Sequence, residues 1–216
     1  MSSKDRKEMD LDRFRELPLM GILRGVQSDV IDSIVETAVS SGLQTIEITM
    51  NTPGAPDLIR RAVKSAQGRL MIGAGTVVTS EHLKVALDAG ARFIVSPILI
   101  YDVVEYCRDN EIPVFPGAFS PQEIYNSWVA GATMVKVFPS NFFGPDYIKE
   151  IKGPFNSIEM LACGGVTPEN IRAYFDCGAS AVAFGGSVFR EEWLKARDFD
   201  SIGRSIKALI SAYNGG

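Results

Sequence analysis

Short apolar runs alternate along the chain with longer stretches whose apolar residues recur at helical spacing. The strand-sized runs are Leu19–Leu23, Leu43–Ile48, Leu70–Ala74, Arg92–Val95, Pro113–Phe115, Thr133–Val137, Glu159–Ala162 and Ser180–Phe184. Between the first two, Ser28-Asp29 reads as a helix cap. An apolar stripe follows at Val30, Ile31, Ile34, Val35 and Ala38, and Gly42 ends it. Residues 1–9 read as a loose polar tail. Asp10 to Leu17 predicts a short N-terminal helix stopped by Pro18. A last helix is expected near Asp200–Tyr213. Eight strands alternating with helices, without a break in composition, predict the α/β class and a single (β/α)8 TIM barrel over residues 1–216. The rival, an open doubly wound sheet, would usually carry Gly-x-Gly-x-x-Gly after its first strand; none is present.

An internal repeat supports the barrel. Gly42-Leu-Gln-Thr-Ile-Glu47, Gly90-Ala-Arg-Phe-Ile-Val95, Gly131-Ala-Thr-Met-Val-Lys136 and Gly178-Ala-Ser-Ala-Val-Ala183 share one form, a helix-ending glycine followed by a strand. They recur at offsets of 48, 41 and 47 residues, about two βα units each, and so are strands two, four, six and eight. The fourth residue after each glycine is Ile46, Ile94, Val135 or Val182, all apolar and expected to face the outer helices. Side chains alternate along a strand, so Glu47, Val95, Lys136 and Ala183 are expected to point inward, as one layer. Thr49, Pro97, Phe138 and Gly185 follow two positions on, at the mouth.

The inward lysine raises a chemical question. Lys136 lies among Met134, Val135, Val137 and Phe138 with no carboxylate near it in sequence. Burying an ammonium costs several kcal/mol unless it is paired or neutralised. Lys136 could reach solvent along its stem, tie the barrel together as an ion pair with Glu47, or do chemistry. Its position opposite Glu47, near the C-terminal strand ends where barrel enzymes keep their active sites, favours chemistry. A neutral amine attacks a carbonyl to form an imine, and a neighbouring carboxylate moves the protons this requires. These parts suit a metal-free aldolase.

Glycines end several strands: Gly73-Ala-Gly-Thr76 after strand three, Gly164-Gly165 after strand seven, Gly185-Gly186-Ser187 after strand eight. They either permit tight turns or, on the last two strands, offer backbone N–H groups to a phosphate. Thr167 with Pro168 reads as an N-cap and first helical residue. The Thr76 hydroxyl is a candidate for holding a substrate carboxylate. Cys163 is expected to line the cavity, without a histidine near it in sequence to make it a nucleophile.

Composition narrows the field. The net charge is −4 and no basic run exceeds Lys4–Lys7, which argues against nucleic acid as a partner. No apolar run is long enough to span a membrane. The residues from Met1 to Glu8 are charged and lack an apolar h-region, so no secretory signal is expected. Cys107, Cys163 and Cys177 show no C-x-x-C spacing, so a reduced, cytoplasmic setting is expected. His82, the one histidine, is expected to be exposed in a first helical turn after Thr79, and its solitude disfavours most zinc sites and histidine-based triads. Trp128 and Trp193 read as packing residues. No metal and no cofactor are expected.

Taken together, Glu47-Ile-Thr-Met-Asn-Thr52, Gly73-Ala-Gly-Thr-Val77, Ser96-Pro97, Pro116-Gly117, Lys136-Val-Phe-Pro139, Gly164-Gly-Val166 and Gly185-Gly-Ser187 resemble the 2-keto-3-deoxy-6-phosphogluconate aldolase family, which includes the 4-hydroxy-2-oxoglutarate and 2-keto-3-deoxy-6-phosphogalactonate aldolases. The similarity runs from Gly21-Ile-Leu-Arg24 to Gly186-Ser187. The resemblance implies Lys136 as the imine-forming residue and Glu47 as the general acid and base. It implies Pro97 and Phe138 beside the pyruvyl methyl, Thr76 on the pyruvate carboxylate, and phosphate on Gly164, Gly165, Gly185, Gly186 and Ser187. The substrate would be a small phosphorylated keto acid, cleaved to pyruvate and glyceraldehyde 3-phosphate by a homotrimer of barrels. Asn51 stands where the phosphogluconate enzymes usually carry an arginine that helps hold the carboxylate, and it resembles the phosphogalactonate branch. Cys163 stands where the phosphogluconate enzymes often have Thr and the galactonate branch Val, so the stereochemistry at C4 stays open. Two other readings of the barrel are an imine-free phosphosugar isomerase or epimerase and a phosphosugar-binding protein without turnover.

Overall fold

A computed structural model describes residues 10–215; the tail expected over residues 1–9 lies outside them. The elements are α1 (Leu11–Glu16), β1 (Leu19–Leu23), α2 (Ile31–Ser40), β2 (Thr45–Thr49), α3 (Ala55–Ala66), β3 (Met71–Gly75), α4 (Ser80–Asp88), β4 (Ile94–Val95), α5 (Tyr101–Asp109), β5 (Val114–Phe115), β6 (Gly117–Ala118), α6 (Pro121–Ala130), β7 (Val135–Val137), α7 (Pro145–Lys152), β8 (Met160–Cys163), α8 (Ile171–Asp176), β9 (Ala181–Phe184), α9 (Glu191–Ala196) and α10 (Phe199–Asn214). All strand pairings are parallel, in the order β5-β4-β3-β2-β1-β9-β8-β7-β6.

Nine strand segments stand where eight were expected. The extra one comes from Pro116, which has no N–H and splits one barrel strand into β5 and β6. The first half pairs with β4 and the second with β7. Thr133 N–H donates to Val114 O, and Lys136 N–H to Pro116 O, so the sheet closes on itself as a barrel. Strands also begin later than expected, at Thr45, Ile94 and Val135 rather than Leu43, Arg92 and Thr133.

The alternation read from the repeat holds. Ile46, Ile94, Val135 and Val182 pack into the large core between sheet and helices. Val95 and Ala183 lie in a second, inner cluster with Met20, Met71, Phe93, Phe115, Met134 and Leu161. Phe14 joins that inner cluster from α1. Its ring, fully buried, meets Phe115 edge-on at 6.0 Å, and Phe115 meets Phe93 at 5.9 Å. Asp10 caps α1 by accepting from Arg13 N–H. Arg13 then donates to Gln44 Oε1 and Gly68 O, just before β2 and β3. The expected short helix therefore seals the N-terminal end of the barrel, a task the apolar pattern did not show.

Three local expectations change. Ser28 makes no cap; Ser28–Val30 is a single 3-10 turn, and α2 starts at Ile31 with the expected stripe buried. Gly75, expected just past the strand, belongs to β3 together with Gly73. A Cβ on Gly73 would come within 2.4 Å of the Phe93 ring. His82 is half-buried, its N–H held by the Thr79 cap. Trp128 and Trp193 pack against the core, as expected. Among the described residues, no helix is long and apolar enough to cross a membrane.

Candidate active site

Glu47 on β2 and Lys136 on β7 meet inside the barrel, Nζ to Oε1 3.9 Å apart. Glu47 is 1% exposed and Lys136 5%. Among the described residues, neither carboxylate oxygen of Glu47 has a hydrogen-bond partner. Burial pushes the Glu47 carboxyl above its ordinary value, with Lys136 and then Arg24 pulling the other way. A buried carboxylate without donors is unfavourable to keep for stability alone. Gly75 makes the space, since a Cβ there would come within 2.5 Å of Glu47 Oε1. Lys136 Nζ lies 5.5 Å from the centre of the Phe138 ring.

Cys163 ends β8, 3% exposed, and lines the cavity as expected. Burial pushes its thiol up; Lys136 and Arg24 oppose this, and Glu47 adds to it. The cavity, about 480 Å³, is bounded by Phe138, Cys163 and all five glycine-loop residues: Gly164, Gly165, Gly185, Gly186 and Ser187. Gly164 and Gly165 take φ of +112° and +68°, backbone that a side chain would strain. Ser140 Oγ donates to Gly164 O and holds that loop from the other side. Ser187 Oγ donates to Val166 O at 2.8 Å, so its proton ties the two loops together. Among the described residues, the N–H groups of Gly164, Gly165, Gly186 and Ser187 have no acceptor within the chain. Two loops thus offer a concave set of free donors, the arrangement that takes an anion.

The turn after Gly165 differs from the expected cap. Thr167 N–H is satisfied by Asn170 Oδ1, whose amide in turn donates to Gly165 O, and α8 starts only at Ile171. Thr76 follows β3 with φ +56°, a strained conformation for a β-branched residue. Pro97 follows β4, half-buried, its carbonyl so close to Gly117 that a Cβ there would lie 2.1 Å from it. Asn51 is exposed in the turn after β2. Thr76, Pro97 and Asn51 do not border the glycine-lined cavity. Arg24 does, directly after β1. The sequence reading did not single it out as a site residue, although a lone cation at the C-terminal end of a barrel strand was a usable signal.

Residues 11–205 match the family model described as KDPG and KHG aldolase. The chain is 32% identical over 199 residues to the 2-dehydro-3-deoxy-6-phosphogalactonate aldolase of Escherichia coli K12, covering 92% of this chain and 95% of that protein. It is 33% identical over 202 residues to the 2-dehydro-3-deoxy-phosphogluconate aldolase of Haemophilus influenzae, covering 93% and 94%. A solved native KDPGal structure superposes with a TM-score of 0.86 at 31% identity, covering 93% of this chain and 96% of that one. The KDPG aldolase of Legionella pneumophila, solved with pyruvate captured at low pH as a covalent carbinolamine intermediate, superposes with a TM-score of 0.82 at 25% identity, covering 89% and 93%.

Proposed function

The chain belongs to the KDPG and KHG aldolase family, and from that premise we propose that Lys136 and Glu47 are the working pair of a class I aldolase. Its substrate is a 2-keto-3-deoxy-6-phospho sugar acid, cleaved to pyruvate and D-glyceraldehyde 3-phosphate. The observation that carries the reading is the pair itself: a buried carboxyl 3.9 Å from a buried amine.

The Lys136 amine adds to C2 of the keto acid, and the carbinolamine loses water to give an imine. Glu47, whose carboxyl burial pushes above its ordinary value, supplies and takes back the protons of these steps. It then takes the proton of the C4 hydroxyl as C3–C4 breaks. The bonding electrons pass to C3 and the imine nitrogen, the aldehyde leaves, and an enamine remains. Protonation at C3 and hydrolysis release pyruvate and restore the amine. The imine is the electron sink throughout.

The phosphate sits on Gly164, Gly165, Gly185, Gly186 and Ser187, with Arg24 as counter-charge. The free N–H groups and the shared cavity support this. Thr76 and Asn51 hold the carboxylate end, while Pro97 and Phe138 flank the methyl of the enamine. Cys163 borders the reacting carbons. The reading covers both C4 epimers, because relatives of both kinds match at 32% and 33% identity. The barrel works as one domain in a homotrimer. An exposed aromatic patch, with Phe119 and Phe143 stacked at 5.5 Å and Phe142 72% exposed, is suited to a subunit contact. A related solved chain, 31% identical, belongs to a cage designed by fusing symmetric oligomeric domains. A cytoplasmic setting fits the three free cysteines.

Trapping tests the reading. Incubation with pyruvate and borohydride, followed by intact and peptide mass spectra, is expected to give one reduced pyruvyl adduct on Lys136. No adduct, or adducts scattered over surface lysines, overturns it in favour of an imine-free isomerase or a binding protein.

A further inference from the structure

The loop after β1 carries Arg24 over the glycine cradle, and its backbone is tied down by a side chain from another strand. Gly25, at φ +65°, turns the chain away from β1, and its N–H donates to Thr52 Oγ1 at 3.0 Å. Thr52 Oγ1 also lies 3.0 Å from Thr49 Oγ1. Thr49 is fully buried and Thr52 is 3% exposed. Thr52 N–H donates to Thr49 O at 2.9 Å, so the turn holds the two hydroxyls together. A buried hydroxyl needs a partner. Here one hydroxyl proton lies between the two threonines, and the Gly25 N–H fills a lone pair on Thr52. Thr49 stands two residues beyond Glu47 on β2, and Leu23 pairs in register with Ile48. One strand thus sets the Glu47 carboxyl directly and the Arg24 loop through a hydroxyl latch.

We infer that Thr52 is a positioning residue for the substrate phosphate. Through Gly25 it fixes where Arg24 stands relative to the N–H groups of Gly165, Gly186 and Ser187. The inference rests on the aldolase reading for its substrate, but its own content is the coupling of Thr52 to Arg24. Losing the hydroxyl leaves the Gly25 donor without its acceptor and frees the loop, so the charge is no longer held over the cradle. The chemistry at Lys136 does not use this latch.

The test compares Thr52→Val, Thr52→Ser and Arg24→Ala with the phosphorylated keto acid and with the same keto acid lacking phosphate. Thr52→Val is expected to raise KM for the phosphorylated substrate about five- to tenfold, with kcat for both substrates and KM for the unphosphorylated one within about twofold. Thr52→Ser keeps the hydroxyl and is expected to match the wild type. In the Arg24→Ala background, Thr52→Val is expected to add less than about twofold. Thr49→Val, which opens the latch from its other end, is expected to give the same selective rise in smaller measure, and it stands in should Thr52→Val fail to fold. Equal losses with both substrates, no recovery in Thr52→Ser, or full additivity with Arg24→Ala overturns the inference. The pyruvate adduct on Lys136 separates the two readings. Its absence from the wild type removes the aldolase reading, whereas its presence without a selective KM change removes only the role of Thr52.

Discussion

The two ends of the barrel interior are built from the same strands and differ in almost every physical respect. At the N-terminal floor, Phe14, Phe93, Phe115 and Met134 are at most 1% exposed and entirely apolar. Two residues further along β7, and one layer up, Met134 gives way to Lys136. In the same upward step Leu161 gives way to Cys163, and Phe93 to Val95. The upper layer holds a buried carboxyl whose two oxygens find no donor among the described residues, and above it Thr76 takes a strained backbone. Among the described residues the floor is apolar except for Thr45, two residues before Glu47 on β2, whose buried hydroxyl also lacks a partner; the rest of the floor contributes packing. The mouth concentrates the groups that cost stability, and it keeps its geometry because the strands beneath it are locked.

The sharpest way to break this contrast is at Lys136. Lys136→Ala is expected to lower turnover by about 10⁴-fold or more and to abolish the pyruvate adduct, while the floor still folds the chain; near-normal activity would sink the assignment. Glu47→Gln is expected to lower kcat by about 10²–10⁴-fold. Its stability should show the opposite sign from an ordinary core substitution. Because burial raises the Glu47 pKa, the folded chain holds a proton that the unfolded chain has lost once the pH exceeds the ordinary glutamate value of 4.5. Wild-type stability therefore falls as pH rises from there, and Glu47→Gln removes that loss. Thermal melts at about pH 5 and about pH 8 are expected to show the variant gaining on the wild type at the higher pH. A constant difference would mean that the carboxyl is not strained by burial.

Gly75→Ala sharpens the comparison by touching only geometry. The added Cβ, 2.5 Å from Glu47 Oε1, must displace the carboxylate, with kcat expected to fall about 10²-fold. Wild-type kinetics in this variant would mean that the position of Glu47 is loosely set. Phe14→Ala is expected to move activity least. Chemical denaturation should report a loss of about 3–5 kcal/mol while kcat stays within about twofold. A large fall in kcat at a temperature where the variant is fully folded would show that floor and mouth are not separable.

Much of the site was legible because barrel geometry converts a one-dimensional offset into a shared layer. Glu47 and Lys136 are each the fifth residue after a helix-ending glycine, and that was enough to place them facing each other. The glycine loops at 164–165 and 185–187 were legible too, although not the fact that the Ser187 proton is used to join them. Gly75 was misread as a turn residue, because a missing Cβ looks the same in sequence whether the backbone bends or a neighbour needs the space. Arg24 and Thr52 were not singled out, because neither repeats nor breaks a pattern. They matter through contacts with loops far away in the chain.

The sequence by itself determined the alternation of strand and helix, the inward and outward faces of the repeated strands, and the pairing of a lysine with a glutamate in one layer. Those follow from local periodicity, which a strand or helix imposes on its own residues. The tertiary structure alone decided that Pro116 divides the closing strand and that Phe14 plugs the floor. It alone decided that Glu47 finds no hydrogen-bond partner among the described residues, and that a threonine on one loop holds the backbone of another. Each of these depends on which atoms meet across long stretches of chain, where packing and hydrogen-bond satisfaction choose the partner and periodicity is silent.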